Sequence, residues 1–235
     1  MIAAVLALTH SIKLAAVCAV GLLLASCASV SVKEARFAVQ KKALQAPSRV
    51  FVRPFTFDGA TIDADRAGVA LVQFKTDVSN QMAEELAERI NKHIAPATVV
   101  KPEERVTTPG AWLVEGRFIE LKQGSRLLRS LIGFGSGRTK METIVSVFKI
   151  NSARKKELLG TIETTGGSNA EPGAAFTGPV GFAPRAILQA SNSGVSADSR
   201  RTARMITAVL SEELGAAGAP LAGQALRVKR LQTEQ

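Results

Sequence analysis

The sequence contains few of the side chains on which enzyme and metal chemistry depends. It has two cysteines, two histidines, one tryptophan and no tyrosine in 235 residues. Cys18 and His10 lie in an apolar N-terminal stretch that we expect to be removed, which leaves His93 as the only histidine. A zinc or iron site with nitrogen and sulfur ligands is therefore not expected. The scarcity of aromatic side chains also argues against base-stacking platforms, so we expect no cofactor, no metal and no nucleic-acid partner.

The spacing patterns of common catalytic sites are also missing. The sequence contains no Gly-x-Ser-x-Gly elbow and no phosphate-binding Gly-x-x-x-x-Gly-Lys-Ser/Thr loop. Ser152 and Lys155 fit a Ser-x-x-Lys pattern, but they lie in a charged predicted turn, where the lysine cannot be desolvated into a base. Glu115 and Glu120 are separated by an odd number of residues, which places them on opposite faces of a regular strand. We therefore predict that the protein is not an enzyme.

The clearest positive signal is the tetrapeptide Leu24–Cys27, which looks like the lipobox of a bacterial lipoprotein. Lys13, an apolar run of eleven residues (14–24) and small residues before Cys27 follow the order of a secretory signal. In this interpretation Cys27 carries a thioether-linked diacylglycerol and an acylated amino terminus. An uncleaved membrane anchor needs ~20 apolar residues, more than the run provides. A buried helix of a cytosolic protein is the remaining alternative.

Lipid attachment at Cys27 predicts both a compartment and a partner. Two or more acyl chains hold a protein stably at a bilayer. Ala28, rather than an aspartate, follows the cysteine, which favours the periplasmic face of the outer membrane, with the inner membrane as the alternative. Loss of Lys13 lowers the formal net charge from +10 to +9, which we interpret as a solubilising, weakly membrane-attracted surface. We expect the bilayer and a protein of the envelope as partners.

Composition divides the chain into four parts. We predict a lipoprotein signal peptide in residues 1–26, a flexible tether in 27–47, a folded domain in 48–214 and a frayed C-terminal tail in 215–235. Within the domain, residues 166–198 are rich in glycine, serine and proline and are predicted to form a long loop.

Hydrophobic periodicity predicts the elements of the domain. Apolar residues at spacings of three and four predict helices that end at Ile94 and Leu214. Short apolar or alternating runs predict strands: residues 49–57, 97–100, 112–121, 140–150 and 157–165. In the third strand, regular alternation places Phe118 and Leu121 on opposite faces. We predict an α+β fold, a single domain with a mainly antiparallel sheet of about five strands packed by two helices.

The segment Gly124–Gly137 (GSRLLRSLIGFGSG) separates two of these strands. With it, the chain resembles a family of uncharacterised bacterial lipoproteins, domain of unknown function 4410. Members resemble one another in a lipobox, an early Val-x-Val-x-Pro-Phe-like strand, a Gly-Ser-Arg-x-x-Arg…Ile-Gly-Phe-Gly-x-Gly stretch and a closing helix. The resemblance covers residues 48–214 and implies a lipoprotein location but no known activity.

Two interpretations of this segment remain open. Its glycines allow close backbone approach, and successive backbone N–H groups with nearby cations can bind an anion. A tight turn or a protein contact is the alternative, since glycines mark turns more often than ligand sites. The candidate loop residues are Arg126, Arg129, Gly133, Gly135, Gly137, Arg138 and Lys140.

The functions that follow from these interpretations fall in three classes. The first is a non-enzymatic, membrane-anchored periplasmic lipoprotein that acts by protein contacts in envelope maintenance or assembly. The order of its elements is similar, by analogy only, to that of small periplasmic assembly and peptidoglycan-synthase-activator lipoproteins. The second is an anion-binding module for lipid headgroups or cell-wall polymer, and the third is a hydrolase.

Overall fold

The computed structural model describes residues 29–38, 44–124, 139–167 and 184–231, with side chains of the last range from residue 194 onward. Alternating and apolar runs form strands in these residues, and the two stretches with helical periodicity form helices. In chain order the elements are β1 (Ser29–Phe37), β2 (Val50–Val52), β3 (Thr61–Asp63), α1 (Gly68–His93), β4 (Ala97–Val99), β5 (Trp112–Lys122), β6 (Lys140–Ile150), β7 (Lys156–Gly167) and α2 (Pro184–Ala216).

The strands form one mixed sheet with the order β1-β7-β6-β5-β2-β4, and β3 pairs with the end of β5. The four long strands are antiparallel, whereas β2 is parallel to both β4 and β5, and β3 is parallel to β5. The prediction of an α+β single domain is confirmed. The predicted sheet of about five mainly antiparallel strands is only partly right, because the sheet has seven strands and only the four long ones are antiparallel to one another. The short strands β2, β3 and β4 have parallel neighbours, and α1 provides the crossover that a parallel connection needs.

The prediction of a flexible tether in residues 27–47 is wrong for residues 29–37, which form β1. This strand pairs antiparallel with β7 and buries Val30 and Val32 against the core. A bulge at Lys33 inserts one residue, so the next inward side chains are Ala35 and Phe37. The odd step between Val32 and Ala35 breaks the alternation that would have revealed a strand.

The prediction of a long loop in residues 166–198 is also wrong for most of the described residues in that range. Residues 166–167 close β7, and α2 begins at Pro184; residues 168–183 lie outside the described residues. Proline is compatible with the first turn of a helix. Serine and glycine in the next turns hid the helix in the sequence, because neither residue type favours a helix interior.

The tail does not fray over residues 217–231, so this part of the prediction is wrong. The Val32 N–H donates to the Lys229 carbonyl at 2.8 Å, and the Leu231 N–H donates to the Val32 carbonyl at 2.9 Å. Leu226 and Val228 pack against the main core. The tail therefore covers part of the outer edge of β1, an edge that would otherwise present unpaired backbone groups.

Both helices pack on one face of the sheet, which we call the covered face. The buried residues of α1 repeat at spacings of three and four, as predicted, and include Phe74, Val78, Met82 and Leu86. They meet the inward side chains of the strands in one large core. The other face, the open face, carries a small apolar cluster of Val100, Val106, Leu113 and Ile150 near the β5 start.

A bulge in β5 corrects two predictions about its faces. The pairing with β6 shifts between Phe118 and Glu120, which leaves Ile119 as the extra residue. Phe118 and Leu121 therefore both lie in the core of the covered face rather than on opposite faces. For the same reason Glu115 and Glu120 both lie on the open face. The inserted residue shifts the alternation by one position, so two residues five positions apart point to the same side.

Candidate functional site

The sequence-predicted site residues fall mostly outside the part of the chain that the structure describes. Cys27 precedes the first described residue, and six of the seven loop residues lie between 125 and 138. Lys140 is the described member, at the start of β6. The site can therefore be built from Lys140 and from what the fold brings next to it.

Lys140 is held between two carboxylates on the open face. Its Nζ lies 2.6 Å from Glu120 Oε2 and 3.1 Å from Glu142 Oε1. Glu120 also binds Lys122 Nζ at 3.0 Å, and Glu142 has Lys33 Nζ at 3.9 Å. The result is a chain of ion pairs on one face of the sheet, which joins the adjacent strands β5 and β6 and reaches over β7 to Lys33 on β1. We call these five residues the ion-pair chain.

The ion-pair chain holds its members in their charged forms. Hydrogen bonds from Lys140 and Lys122 lower the pKa of Glu120, and hydrogen bonds to Glu120 and Glu142 raise the pKa of Lys140. Burial by itself raises the pKa of Glu142, but hydrogen bonds from Thr165 and Lys140 and the nearby lysine charges lower it overall. The positive charge of Lys140 is thus balanced by the carboxylates of Glu120 and Glu142 within the sheet.

The fold brings Lys140 close to the first residue of the described chain. Pairings of Asp63 with Lys122, of Lys122 with Lys140 and of Gly167 with Ser29, and of Met141 with Gly166 one position further in, bring the ends of five strands into one row, which we call the Ser29 end of the sheet. From β3 to β1 the row is Asp63, Lys122, Lys140, Gly167 and Ser29. At ~4.8 Å between neighbouring strands, Lys140 lies roughly 10 Å from Ser29 along the row.

A buried acid also lies at this end. The carboxylate of Asp198 on α2 accepts a hydrogen bond from the Thr139 hydroxyl, just before β6, and Arg201 Nη1 lies 3.1 Å from its other oxygen. Asp198 is fully buried, so these partners offset the cost of taking its charge out of water. The contact fastens α2 to the start of β6, which is a structural role.

Exposed apolar side chains mark the first two turns of α1. Val69 and Val72 are 87 % and 64 % exposed, although valine is usually among the most buried residues. Beside them, Phe57, Val72 and Lys75 line a shallow groove of about 280 Å³. Lys75 Nζ lies 5.3 Å from the centre of the Phe57 ring. We call Val69 and Val72 the valine patch.

The residues weighed as catalytic are held by structural contacts. Ser152 lies in the exposed turn between β6 and β7, where Asn151 Oδ1 accepts a hydrogen bond from the Lys155 backbone N–H. His93 Nδ1 lies 3.0 Å from the Gln224 carbonyl oxygen, so the tail contacts this ring. Within the described ranges no three His, Cys, Asp or Glu side chains are grouped as metal ligands.

Sequence reasoning missed Glu120, Glu142 and the valine patch. Glu142 is two residues from Lys140, so alternation could have placed it on the same face. Glu120 could not be found in this way, because the bulge at Ile119 hides its face. Val69 lies off the apolar stripe of α1, and an apolar residue off the stripe is the signal that could have revealed the patch.

Residues 50–172 match a family described as a domain of unknown function, DUF4410. The matched range is more than half of the 235 residues. The chain belongs to this family. The resemblance inferred from the glycine-rich segment is thereby confirmed, and no curated protein matches the chain.

Two solved structures are similar to parts of the chain. One is a candidate lipoprotein from Caulobacter crescentus CB15, with 13 % identity and a TM-score of 0.27 over 68 % of this chain and 87 % of the other. The second is a candidate homologue of the neuraminyllactose-binding hemagglutinin from Helicobacter pylori, with 9 % identity and a TM-score of 0.29 over 77 % and 91 %. Both scores are too low to carry an argument about this chain.

The folded unit of this chain is larger than the DUF4410 match. The matched residues contain β2 to β7 and α1, whereas β1 and α2 lie outside them. Yet β1 pairs along almost its whole length with β7, and α2 packs on α1, β1, β6 and β7. Experiments on the DUF4410 domain alone would therefore remove part of its sheet and half of its helical cover.

None of the helices in the described ranges is both long enough and apolar enough to cross a bilayer.

Proposed function

We propose that the protein is a membrane-anchored lipoprotein of the bacterial envelope that acts through protein contacts rather than by catalysis. The observation that carries the proposal is the ordered signal ahead of Cys27, with a folded strand starting at Ser29 directly after it. A lipid-bearing cysteine next to a folded domain suits a protein that presents its surface beside a membrane. Ala28 after the cysteine favours the outer membrane.

The electrostatics of the open face support a role without proton transfer. A general acid or base works best when its pKa lies near the working pH. The ion-pair chain does the opposite, since the pKa of Glu120 falls and the pKa of Lys140 rises. These groups remain charged near neutral pH and suit recognition or solubility better than acid–base catalysis.

Lipid attachment is tested by metabolic labelling with palmitate. Wild-type protein and the Cys18→Ala variant should both incorporate label, because Cys18 belongs to the predicted signal. Cys27→Ala should lose it and accumulate as an uncleaved precursor of higher mass. Unchanged labelling of Cys27→Ala would contradict the anchor.

The contact role is tested by photo-cross-linking in intact cells. A photoreactive residue at exposed positions of the open face, such as Arg36, should give an adduct of defined mass with an envelope protein. A matched residue at Arg154 in the exposed hairpin controls for random collision. Turnover of phospholipid or peptidoglycan by the purified lipidated protein would contradict the non-enzymatic proposal.

A further inference from the structure

The anchor cysteine and the folded domain are separated by a very short connection. Ser29 is already paired with Gly167 in the sheet, and only Ala28 lies between Ser29 and Cys27. An extended residue spans at most ~3.6 Å, so the Cα atoms of Cys27 and Ser29 are no more than ~7 Å apart. The domain therefore has no spacer on which to stand off from the bilayer.

This connection gives the two ends of the sheet different distances from the membrane. The Ser29 end holds the first residue of β1, and the opposite end holds the hairpin between β6 and β7. Ten residue steps separate Lys140 from Ile150 along β6, which is roughly 33 Å at ~3.3 Å for each residue. The lipid keeps the Ser29 end of the sheet close to the bilayer, whereas the hairpin lies at the far end of the strands.

The valine patch lies toward the Ser29 end. The strand β3 ends there at Asp63, and α1 starts at Gly68 after a four-residue connection. Val69 and Val72 belong to the first two turns, before Phe74 enters the core. The neighbouring Lys75 and Phe57 combine an aromatic ring with a long aliphatic stem and a charged tip, a combination that suits the boundary between lipid and water.

We infer that the Ser29 end of the sheet faces the bilayer and that Val69 and Val72 contact its interfacial layer. This inference rests on the proposed lipid anchor. The bilayer is the occupant that the connection length selects, because the acyl chains bring lipid to this end of every molecule. Tethering raises the effective concentration of the bilayer at the patch, so two valines suffice where they would not hold a free protein.

The test uses a single introduced thiol on the lipidated full chain. Cys18 leaves with the signal and the sulfur of Cys27 is blocked by lipid, so Val69→Cys and Ser152→Cys each provide one reactive thiol. Both carry the same fluorophore after reconstitution into vesicles of phosphatidylethanolamine and phosphatidylglycerol that contain a spin-labelled quencher lipid. Ser152 lies in the exposed hairpin and is the matched control.

The probe at position 69 should be quenched by about half, since interfacial groups enter ~5–10 Å into the boundary layer. The probe at position 152 should be unaffected, and Val72→Asp in the position-69 background should reduce the quenching. Equal quenching at the two positions, or none at position 69, would overturn the inference. No other protein species is present in the reconstituted vesicles, so quenching at position 69 reports contact with lipid.

A flotation assay separates failure of the inference from failure of the anchor. Lipidated wild-type protein should float with vesicles, whereas an unlipidated chain that starts at Ala28 and lacks the apolar signal should not. If wild type fails to float, the proposed lipoprotein is wrong. If it floats while position 69 remains unquenched, only the orientation is wrong. A ten-residue Gly-Ser insertion between Ala28 and Ser29 should weaken the quenching, and an unchanged value would overturn the role of the short connection.

Discussion

The two faces of the sheet are built on different physical principles. On the covered face, Phe118, Val145 and Ile162 are fully buried under two helices, and burial of apolar area stabilises the fold. On the open face, the same strands carry an ion-pair chain whose lysines are 42–44 % exposed, and exposed ion pairs contribute little. The comparison teaches that most of the buried apolar side chains lie on the covered face, so substitutions there should destabilise the fold more than substitutions in the ion-pair chain.

The largest effect should come from the covered face. Phe118→Ala removes a ring that stacks on Phe57 at 4.4 Å and contacts Phe55, so it should lower the free energy of unfolding by about 3–5 kcal/mol. Ile144→Ala, on the open face of the neighbouring strand, should cost less than about 1 kcal/mol. Urea denaturation of the two variants measures the difference. Equal losses would mean that the faces do not differ as the burial indicates.

The tail at the sheet edge, where the two faces meet, should give the next largest effect. Deleting residues 224–235 removes Leu226 and Val228 from the core and uncovers the β1 backbone at Val32. We expect a loss of about 2–4 kcal/mol, from two partly buried apolar side chains and an exposed strand edge. Thermal unfolding and light scattering measure stability and self-association. A truncated chain that is as stable as wild type and self-associates no more than wild type would restore the prediction of a frayed tail.

The buried acid on the covered face should have an intermediate effect. Asp198→Ala removes the acceptor of the Thr139 hydroxyl and the partner of Arg201, so it should cost about 1–3 kcal/mol. The matched control is Glu212, an exposed acid on the same helix as Asp198. Its Oε1 lies 2.8 Å from Nη2 of Arg230 in the tail. Glu212→Ala should cost below about 1 kcal/mol by urea denaturation. The reverse order of the two losses would contradict a buried fastening at Asp198.

The smallest effect should come from the open face, and it should depend on pH. The fold lowers the pKa of Glu120 and of Glu142. Both ionised carboxylates therefore stabilise the protein at pH values above their ordinary pKa of 4.5, and this stabilisation is lost as the pH falls further. The double variant Glu120→Gln/Glu142→Gln should cost about 1 kcal/mol at pH 7 and less at pH 3. Urea midpoints at the two pH values measure this, and high salt should shrink the difference at pH 7. A cost as large at pH 3 as at pH 7 would assign the effect to packing.

Long elements with unbroken periodicity could be predicted from the sequence. The apolar stripe of α1 and the alternation of β6 satisfy local rules, so their existence and type follow without tertiary information. The strand β1 and the faces of β5 could not be predicted, because bulges at Lys33 and Ile119 break the alternation. A bulge is stabilised by the partner strand, which the local sequence does not reveal.

The candidate site divides in the same way. Cys27 was found from order and composition alone, because the recognition of a signal peptide is a linear property. The ion-pair chain joins Lys33, Glu120 and Glu142, which lie on three strands, so it needed the register. The valine patch became informative only when α1 was placed at the end of the sheet that holds Ser29.

The sequence by itself determined the α+β class, the meander, the first helix and membership of the DUF4410 family, since these depend on local periodicity and on residues close together in the chain. Tertiary structure decided that β1 starts at Ser29, which side of the sheet is covered, and which end lies beside the predicted anchor. Those features depend on pairings between residues more than a hundred positions apart, such as Ser29 with Gly167. Long-range pairing is set by the combined burial of the whole sheet, and no single segment encodes it.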